Sequence, residues 1–399
     1  MTTTASHRLD ELFAERAQHV VPPMHWPHQP RLITFSYGFA DPALFPREKL
    51  VAAADAALAD DIDGALNYGP SYPGLRTVVA NRLRRHGVEA DEENILLTYG
   101  SGQAIGLLPY VFVNPGDTVI IEGPTFMGAV RSFQDAGAHI VTAPVDADGL
   151  NVAALEEILR NLRGRNVRPK FIYTIPTFQN PSGTTLPLER RQRLVALAEE
   201  YGVVVVEDDA YGDLRFEGEP LPALAALDQS GWVLNLGTFS KILAPGIRQG
   251  WAYGSPEIIQ RLEMFKVEGS SGPFLTRMVA RFCANGQLER HIAELCAHYR
   301  HKRDVMLAAI QQHFPQEVRY VVPQGGFFFW CELPDGMSAT ALQQRAEQHG
   351  ATFTSGPRCF ADGQGDNAIR LAFSYLPVEQ IERGMAMIGA AMRELTSRG

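Results

Sequence analysis

Short apolar runs rich in β-branched and aromatic residues recur between residues 95 and 254, and they constrain the fold more than any other feature of the sequence. They cover residues 95–98, 118–121, 139–142, 171–175, 203–206, 232–236 and 251–254. Nearly continuous apolar character is typical of strands that are buried on both faces of a mostly parallel sheet. Helical patterns lie between several of the runs, most clearly at residues 188–201. This alternation predicts an α/β sheet with right-handed crossovers.

The pattern changes near both ends of the chain. Residues 1–46 are rich in Pro and His and predict an N-terminal arm, in which His25 and His28 flank Trp26-Pro27. Two histidines are too few for a metal site, so we expect an arm that closes over a ligand. After residue 290, long helical patterns surround a few short strands. We therefore predict an arm with part of a small domain (1–46), a large domain (47–290) and a C-terminal small α+β domain (291–399).

Charge and cysteine content exclude several classes of function. The net charge is −9, whereas nucleic-acid and anionic-membrane binding need a basic face. We find no apolar run of about 18 residues and no apolar centre of a signal peptide near the N-terminus. The four cysteines form no CxxC pair, which predicts reduced thiols and no metal site. We expect a cytoplasmic protein.

Polar residues follow several of the predicted strands, and in open α/β sheets ligands bind at the carboxyl ends of strands. Residues 207–211 read Glu-Asp-Asp-Ala-Tyr, and residues 237–248 read Gly-Thr-Phe-Ser-Lys-Ile-Leu-Ala-Pro-Gly-Ile-Arg. A lysine between hydroxyls, followed by an arginine, suits a phosphorylated carbonyl ligand. Residues 180–183 (Asn-Pro-Ser-Gly) follow a third strand. Residues 99–104 (Tyr-Gly-Ser-Gly-Gln-Ala) precede a helix whose N-terminus could bind an anion.

From about residue 36 to residue 375, these segments in this order resemble the aspartate aminotransferase-like superfamily of pyridoxal 5′-phosphate (PLP) enzymes, called fold type I. They are most similar to class I/II aminotransferases of the 2-aminoadipate and kynurenine type. The segment Thr-Phe-Ser-Lys-x3-Pro-Gly-x-Arg carries the most specific part of the likeness. The resemblance implies a large domain with a mostly parallel seven-stranded sheet flanked by helices, and a smaller α+β domain.

The resemblance also implies a role for each polar residue around the cofactor ring. Lys241 would carry the cofactor as a Schiff base and, once free, move the proton between the substrate and the cofactor. Asp208 would keep the pyridine nitrogen protonated, so that the ring accepts electrons. Asn180 and Tyr211 would donate hydrogen bonds to the phenolate oxygen. Phe126, where the family often has Tyr, would stack on the ring.

The remaining implied residues bind the phosphate and the substrate. The phosphate would be held by a set of small or hydroxyl-bearing residues and one arginine, namely Ser101, Gly102, Thr238, Ser240 and Arg248, with Gln103 nearby. Tyr68 would reach the phosphate of the neighbouring subunit, which implies a homodimer with shared active sites. Arg370, Gly38 and Asn180 would meet the α-carboxylate of an amino acid substrate.

The leading hypothesis is therefore an aminotransferase that moves the amino group of an L-amino acid to a 2-oxo acid, through a Lys241 Schiff base and pyridoxamine phosphate. Two alternatives remain open. One is a PLP enzyme of the same fold that catalyses elimination, replacement, cyclisation or oxidation. The other is a PLP-binding regulator, in which a DNA-binding domain accompanies this fold. Gln249, in place of a hydrophobic residue, and the Gly/Ser-rich residues 266–273 depart from the family pattern. Arg131 is the one candidate for binding a distal acid of the substrate.

Overall fold

The computed structural model describes residues 12–13, 32–267 and 269–396. Most of the predicted arm, including His25 and His28, lies outside the described residues, as does Glu268 in the Gly/Ser-rich segment. None of the helices in the described part combines the length and apolar character that a bilayer crossing requires.

Strands in the described ranges form one large and two small sheets. In chain order they are β1 (Ile33–Thr34), β2 (Ile95–Thr98), β3 (Thr118–Gly123), β4 (His139–Asp146), β5 (Gly149–Leu150), β6 (Phe171–Thr174), β7 (Val204–Asp209), β8 (Val233–Thr238), β9 (Gly250–Tyr253), β10 (Arg319–Tyr320), β11 (Phe328–Glu332), β12 (Ala351–Thr352), β13 (Thr354–Ser355) and β14 (Ala368–Ala372). The large sheet has the order β2-β9-β8-β7-β6-β3-β4-β5. Its five central strands, from β8 to β4, run parallel, and β9 is antiparallel to both of its neighbours.

This architecture confirms the predicted α/β fold. Five of the seven apolar runs match strands to within one or two residues, whereas β7 and β4 extend three and four residues further than their runs. The sheet nevertheless has an eighth strand, since β5 pairs with the end of β4 in antiparallel register. β5 contains two residues, Gly149 and Leu150, and follows a turn at Ala147-Asp148. A strand this short carries no alternation or apolar run, so the sequence pattern could not indicate it.

Helices cover both faces of the large sheet. In chain order the helices of the described ranges are α1 (Arg47–Asp60), α2 (Ile62–Leu66), α3 (Pro73–Arg85), α4 (Ser101–Phe112), α5 (Met127–Asp135), α6 (Val152–Gly164), α7 (Leu188–Tyr201), α8 (Leu224–Leu227), α9 (Pro256–Phe265), α10 (Pro273–Phe282), α11 (Gln287–His313), α12 (Ala339–His349) and α13 (Val378–Thr396). Alternate residues of the central strands pack on opposite sides. Ile120 and Ile172 pack with α6 and α7, whereas Ile121 and Tyr173 pack with α4 and α5. Burial on both sides explains the nearly continuous apolar runs.

A smaller sheet of order β10-β11-β14-β13 lies in the C-terminal part of the chain. It packs against α11, α12 and α13 through a core that includes Tyr299, Phe329, Leu371 and Ile388. The N-terminal strand β1 pairs in parallel with β12 in this part of the chain. The predicted domain boundaries remain a prediction; the boundary at residue 290 falls in the first turn of α11.

Candidate active site

Lys241 lies three residues beyond the carboxyl end of β8, and its ammonium points at the arm. Its Nζ donates a hydrogen bond to the carbonyl oxygen of Gly38 at 2.9 Å. Burial, together with the charges of Arg370 and Arg248, lowers the pKa of Lys241 to about 8, although the charge of Asp208 opposes this shift. About a tenth of amines with this pKa are neutral at pH 7, far more than for an ordinary lysine, and the neutral form is the nucleophile and base.

Asp208 lies near the end of the neighbouring strand β7, and only one of its oxygens is satisfied. Its Oδ2 accepts a hydrogen bond from the hydroxyl of Tyr173 at 2.5 Å. Its Oδ1 is buried and has no hydrogen-bond partner among the described residues. Burial raises the pKa of Asp208 to about 6, although Tyr173 and Lys241 lower it. A buried carboxylate oxygen without a donor costs free energy, so this atom indicates a site for a donor from a ligand.

Arg370 lies on β14 and gathers groups from three other segments. Its Nη1 donates to Oδ1 of Asn180 at 2.9 Å, and its Nη2 donates to the carbonyl of Ser36 at 2.8 Å and to Oγ1 of Thr354 at 3.2 Å. The guanidinium lies over the ring of Phe328, 4.6 Å from its centroid. Its Nε is buried and has no partner among the described residues. A fixed, partly unsatisfied guanidinium is suited to a planar carboxylate.

The predicted phosphate-binding residues come together where α4 begins beside β8 and β9. Gly100 precedes α4 with a φ of 75°, and a Cβ there would lie 2.8 Å from Nη2 of Arg248. Arg248 also adopts a left-handed backbone and donates to the carbonyl of Tyr99 at 2.9 Å. Thr238 and Ser240 are joined through their hydroxyls at 2.9 Å. Backbone N–H groups of a helix start, two hydroxyls and an arginine form a site for a phosphate.

Two other predicted residues, Gln103 and Tyr211, contact neighbouring residues of the site in different ways. Gln103 accepts a hydrogen bond from the backbone N–H of Tyr99 at 2.9 Å, so it shapes the loop before α4, where Ser101 and Gly102 form the first turn. Tyr211 is buried in edge-to-face contact with Phe327 and Phe328. The Lys241 Nζ lies 5.8 Å from the centroid of the Tyr211 ring.

Two of the predicted aromatic residues are open to solvent. Phe126, which precedes α5, is 38% exposed and has no described ring contact with the residues around Lys241. Tyr68 is fully exposed in the loop that follows α2. An aromatic residue with this exposure is suited to contact a ligand or a second subunit.

A buried carboxylate that sequence reasoning missed lies behind the site. Glu122, at the end of β3, accepts hydrogen bonds from the hydroxyl of Thr174 at 2.5 Å and from Nε2 of Gln179 at 3.0 Å. The same Nε2 donates to the carbonyl of Pro124 at 2.8 Å. The cluster thus joins the loop that carries Phe126 to the loop that carries Asn180. Its one sequence signal is a Glu at the end of an apolar strand.

Glu122 should make stability depend on pH. Burial raises its pKa to about 7 from 4.5, so the folded protein binds more protons than the unfolded chain between these values. Stability from this group is present below pH 4.5 and is lost as the pH rises through 7, a difference of about 3 kcal/mol. We expect Glu122→Gln to abolish this part of the loss, because the amide can donate to Thr174 and accept from Gln179.

The measurement is urea unfolding of the cofactor-free protein at pH 5 and pH 8. The difference in unfolding free energy between the Glu122→Gln variant and the wild type should grow in favour of the variant at pH 8. Glu199→Gln makes the same chemical change on the exposed face of α7 and serves as the control. A constant difference at both pH values would contradict the raised pKa.

Comparison with known proteins identifies the family. The sequence profile of the family described as aminotransferase class I and II matches residues 39–388. The chain belongs to this family. Aromatic-amino-acid aminotransferase 1 of Thermococcus litoralis is 36% identical over 368 residues, which cover 91% of this chain and 88% of that protein. The 2-aminoadipate transaminase of Thermus thermophilus is 38% identical over 374 residues, 92% of this chain and 91% of that protein.

A solved structure gives the same result for the fold and the cofactor. The kynurenine aminotransferase of Pyrococcus horikoshii, in complex with PMP, superposes with a TM-score of 0.93 at 35% identity, covering 97% of this chain and 98% of that one. The predicted fold type I resemblance is confirmed. The chain described here is therefore a PLP-dependent aminotransferase whose substrates are an amino acid and a 2-oxo acid.

The residues present fit this cofactor. The buried and unpartnered Oδ1 of Asp208 is the acceptor that a protonated pyridine nitrogen requires. The charges of Arg370 and Asp208 both act on Lys241, whose amine has a lowered pKa. The helix start with Arg248, Thr238 and Ser240 provides donors for the phosphate. Each part of PLP therefore has a chemically matched group.

Proposed function

We propose that this aminotransferase uses Lys241 as the covalent anchor of PLP and as the group that moves the substrate proton, with aromatic L-amino acids as donors and 2-oxoglutarate as acceptor. The observation that carries the proposal is the convergence of three groups: the low-pKa amine of Lys241, the unpartnered oxygen of Asp208 and the guanidinium of Arg370. When bound, PLP supplies an electron sink and a carrier for the amino group.

The protein residues then have separate tasks. Arg370 binds the substrate α-carboxylate and fixes the direction of the Cα–H bond relative to Lys241. The neutral amine of Lys241 would remove the proton from the substrate Cα. It would then return that proton to the cofactor carbon that bears the amino nitrogen. Asp208, ionised near neutral pH, keeps a proton on the ring nitrogen. Asn180 gives its carbonyl oxygen to Arg370, which leaves its amide N–H free to donate to the phenolate oxygen together with the Tyr211 hydroxyl.

Phosphate binding is assigned to the cluster around the start of α4. Arg248 supplies charge, Thr238 and Ser240 supply hydroxyls, and Ser101 and Gly102 supply backbone N–H groups, with Gln103 shaping the loop. Phe126 would cover the ring by moving over it from its exposed position. Gly38 contributes its carbonyl to Lys241, and a Cβ at this position would collide with the Phe328 ring.

Aromatic side chains near Lys241 and Arg370 support aromatic amino acids as the amino-group donors. Rings of Tyr211 and Phe327 lie within 6 Å of the Lys241 amine, and Phe328 lies against Arg370. Arg131, the candidate for a distal acid, lies 3.6 Å from the Asp135 carboxylate one turn further along α5. The relative from Thermococcus litoralis carries an aromatic-amino-acid name. The name of the Thermus thermophilus relative favours 2-aminoadipate as the second candidate.

The assembly is proposed to be a homodimer in which Tyr68 of each subunit reaches the phosphate of the other site. Its full exposure in the single chain supports this arrangement. The predicted cytoplasmic location stays a prediction.

The test is an absorbance titration of the purified PLP-loaded protein with single L-amino acids and no 2-oxo acid. Phenylalanine, tyrosine and kynurenine should each convert the cofactor once to its amine form and release one equivalent of oxo acid. 2-Aminoadipate is tested in the same way. The ratio of kcat/KM for the aromatic donors to kcat/KM for 2-aminoadipate, measured with 2-oxoglutarate present, decides between the two donor classes. Product that accumulates over many turnovers without an acceptor would contradict transamination. It would instead support an elimination, replacement, cyclisation or oxidation.

A further inference from the structure

Gln249 follows the phosphate-binding Arg248, but its side chain points away from the phosphate cluster. Its backbone carbonyl accepts hydrogen bonds from the N–H of Phe239 at 3.0 Å and from Oγ1 of Thr238 at 3.3 Å. Its amide is buried, and Nε2 donates to the carbonyl of Ser271 at 2.8 Å. The backbone of Gln249 is therefore fixed by the phosphate cluster, and its side chain extends that rigid unit to the Gly/Ser-rich segment.

Ser271, in that segment, makes hydrogen bonds to three different parts of the chain. The residue has no exposed surface. Its carbonyl is bound by Gln249, its hydroxyl donates to the carbonyl of Leu97 at 2.8 Å, and its N–H donates to the hydroxyl of Ser71 at 2.8 Å. Ser271 therefore connects Gln249, the residue before β9, and strand β2 to the loop that follows α2.

The loop connected in this way is the one that presents Tyr68. Ser71 is bound by Ser271, and the next residue, Tyr72, donates its N–H to the buried hydroxyl of Thr276 at 3.0 Å. Residues 67–70 are exposed between these anchors and α2. The bonds of Ser71 and Tyr72 therefore fix the C-terminal end of the loop that presents Tyr68.

The amide of Gln249 has little value for stability alone. Its Oε1 is buried and has no hydrogen-bond partner among the described residues, which costs free energy that a hydrophobic side chain would avoid. What the amide contributes is the donor bond that satisfies the buried carbonyl of Ser271. Without this donor, that carbonyl would lose its partner and the segment would shift away from Gln249.

We propose that Gln249 is a positioning residue: through Ser271 and Ser71 it fixes the Tyr68 loop against the phosphate cluster, so that PLP binding in one subunit depends on Gln249 of the other. The inference rests on the proposed role of Tyr68. It explains why the two departures from the family pattern, Gln249 and the Gly/Ser-rich segment, occur together, since a small buried residue at 271 and a donor at 249 are needed for the same junction.

The test is a double-mutant cycle on the affinity for PLP. Gln249→Leu, Tyr68→Phe and the double variant are prepared as cofactor-free protein, and the Kd for PLP is measured by fluorescence titration. Light scattering verifies that each variant keeps the oligomeric state of the wild type. We expect each single change to raise Kd about 10-fold, the effect of one hydrogen bond. The double variant should be no weaker than the weaker single variant, because both changes act on one contact.

Ser71→Ala provides a second variant, because it breaks the same path without touching the phosphate cluster or the core. It should weaken PLP binding and should add nothing to Tyr68→Phe. Gln311→Leu, the same chemical change on the exposed face of α11, should leave Kd unchanged.

The outcomes separate the inference from the proposed function. If Tyr68→Phe weakens binding and Gln249→Leu does not, the inference is overturned and the role of Tyr68 stands. If the two changes add, Gln249 acts on Arg248 within its own subunit and the inference is overturned. If Tyr68→Phe leaves Kd unchanged, the proposed role of Tyr68 fails, and the inference fails with it.

Discussion

Replacing Lys241 by alanine should lower kcat for transamination by about 10⁴-fold or more, because in the proposed mechanism this one residue both anchors the cofactor and moves the proton. The low pKa of its amine, about 8, suits both tasks. The phosphate cluster is untouched, so the variant should still bind PLP, now without a covalent linkage. Stopped-flow measurement of the first half-reaction gives the rate. Borohydride reduction and peptide mass spectrometry report whether the cofactor is attached.

The matched control is Lys170→Ala, which removes a lysine that pairs with Asp117 on the surface. Its kcat and its borohydride labelling should equal those of the wild type. Cofactor that stays attached to the protein in the Lys241→Ala variant, or turnover within tenfold of the wild type, would place the anchor on another residue.

The fold could be predicted from local pattern because its strands are buried on both sides. Ile120, Ile172 and Val205 face α6 and α7, and their neighbours in sequence face α4 and α5. Most strands of the large sheet therefore read as continuous apolar runs, although β7 and β4 extend beyond theirs. β5 escaped prediction because two residues are stabilised by pairing with the end of β4 alone.

The proximity of Thr238, Ser240, Lys241 and Arg248 could be expected from the sequence, since they lie on one short segment that begins at the end of β8. The partners that tune these residues could not. Tyr173 reaches Asp208 from the neighbouring strand, and Glu122 on β3 meets Gln179 in the loop that follows the neighbouring strand β6. Such pairs depend on which strands are adjacent and in which register they pair, and a strand pattern contains neither.

Gln249 illustrates the difference between noticing a residue and explaining it. The sequence marks it as a departure, because a polar side chain occurs where a hydrophobic one is usual. The explanation requires Ser271, 22 residues further along the chain, and Leu97 and Ser71, far earlier in it. Gln249 and Leu97 become neighbours because β9 pairs with β2, and Ser271 then bonds to both of them and to Ser71.

Asp208→Asn should lower the rate of Cα proton removal by about 10²- to 10³-fold, the usual effect of losing one fixed electrostatic group. An amide keeps the shape and the hydrogen bond from Tyr173, but it lacks the charge that holds a proton on the ring nitrogen. The unprotonated ring accepts electrons less well, so the step that Lys241 catalyses becomes slower. The primary isotope effect with Cα-deuterated donor should rise, because proton removal then limits the rate.

Asp209→Asn is the matched control for this substitution. It makes the same change one residue away, at a carboxylate that accepts a hydrogen bond from the N–H of Gly212, and the amide oxygen can still accept that bond. Its isotope effect and rate should remain close to those of the wild type. If both variants lose activity equally, the cause is the general loss of buried charge at the end of β7. If Asp208→Asn alone is slow, its unpartnered oxygen is the ring partner, because no other difference between the two positions acts selectively on proton removal.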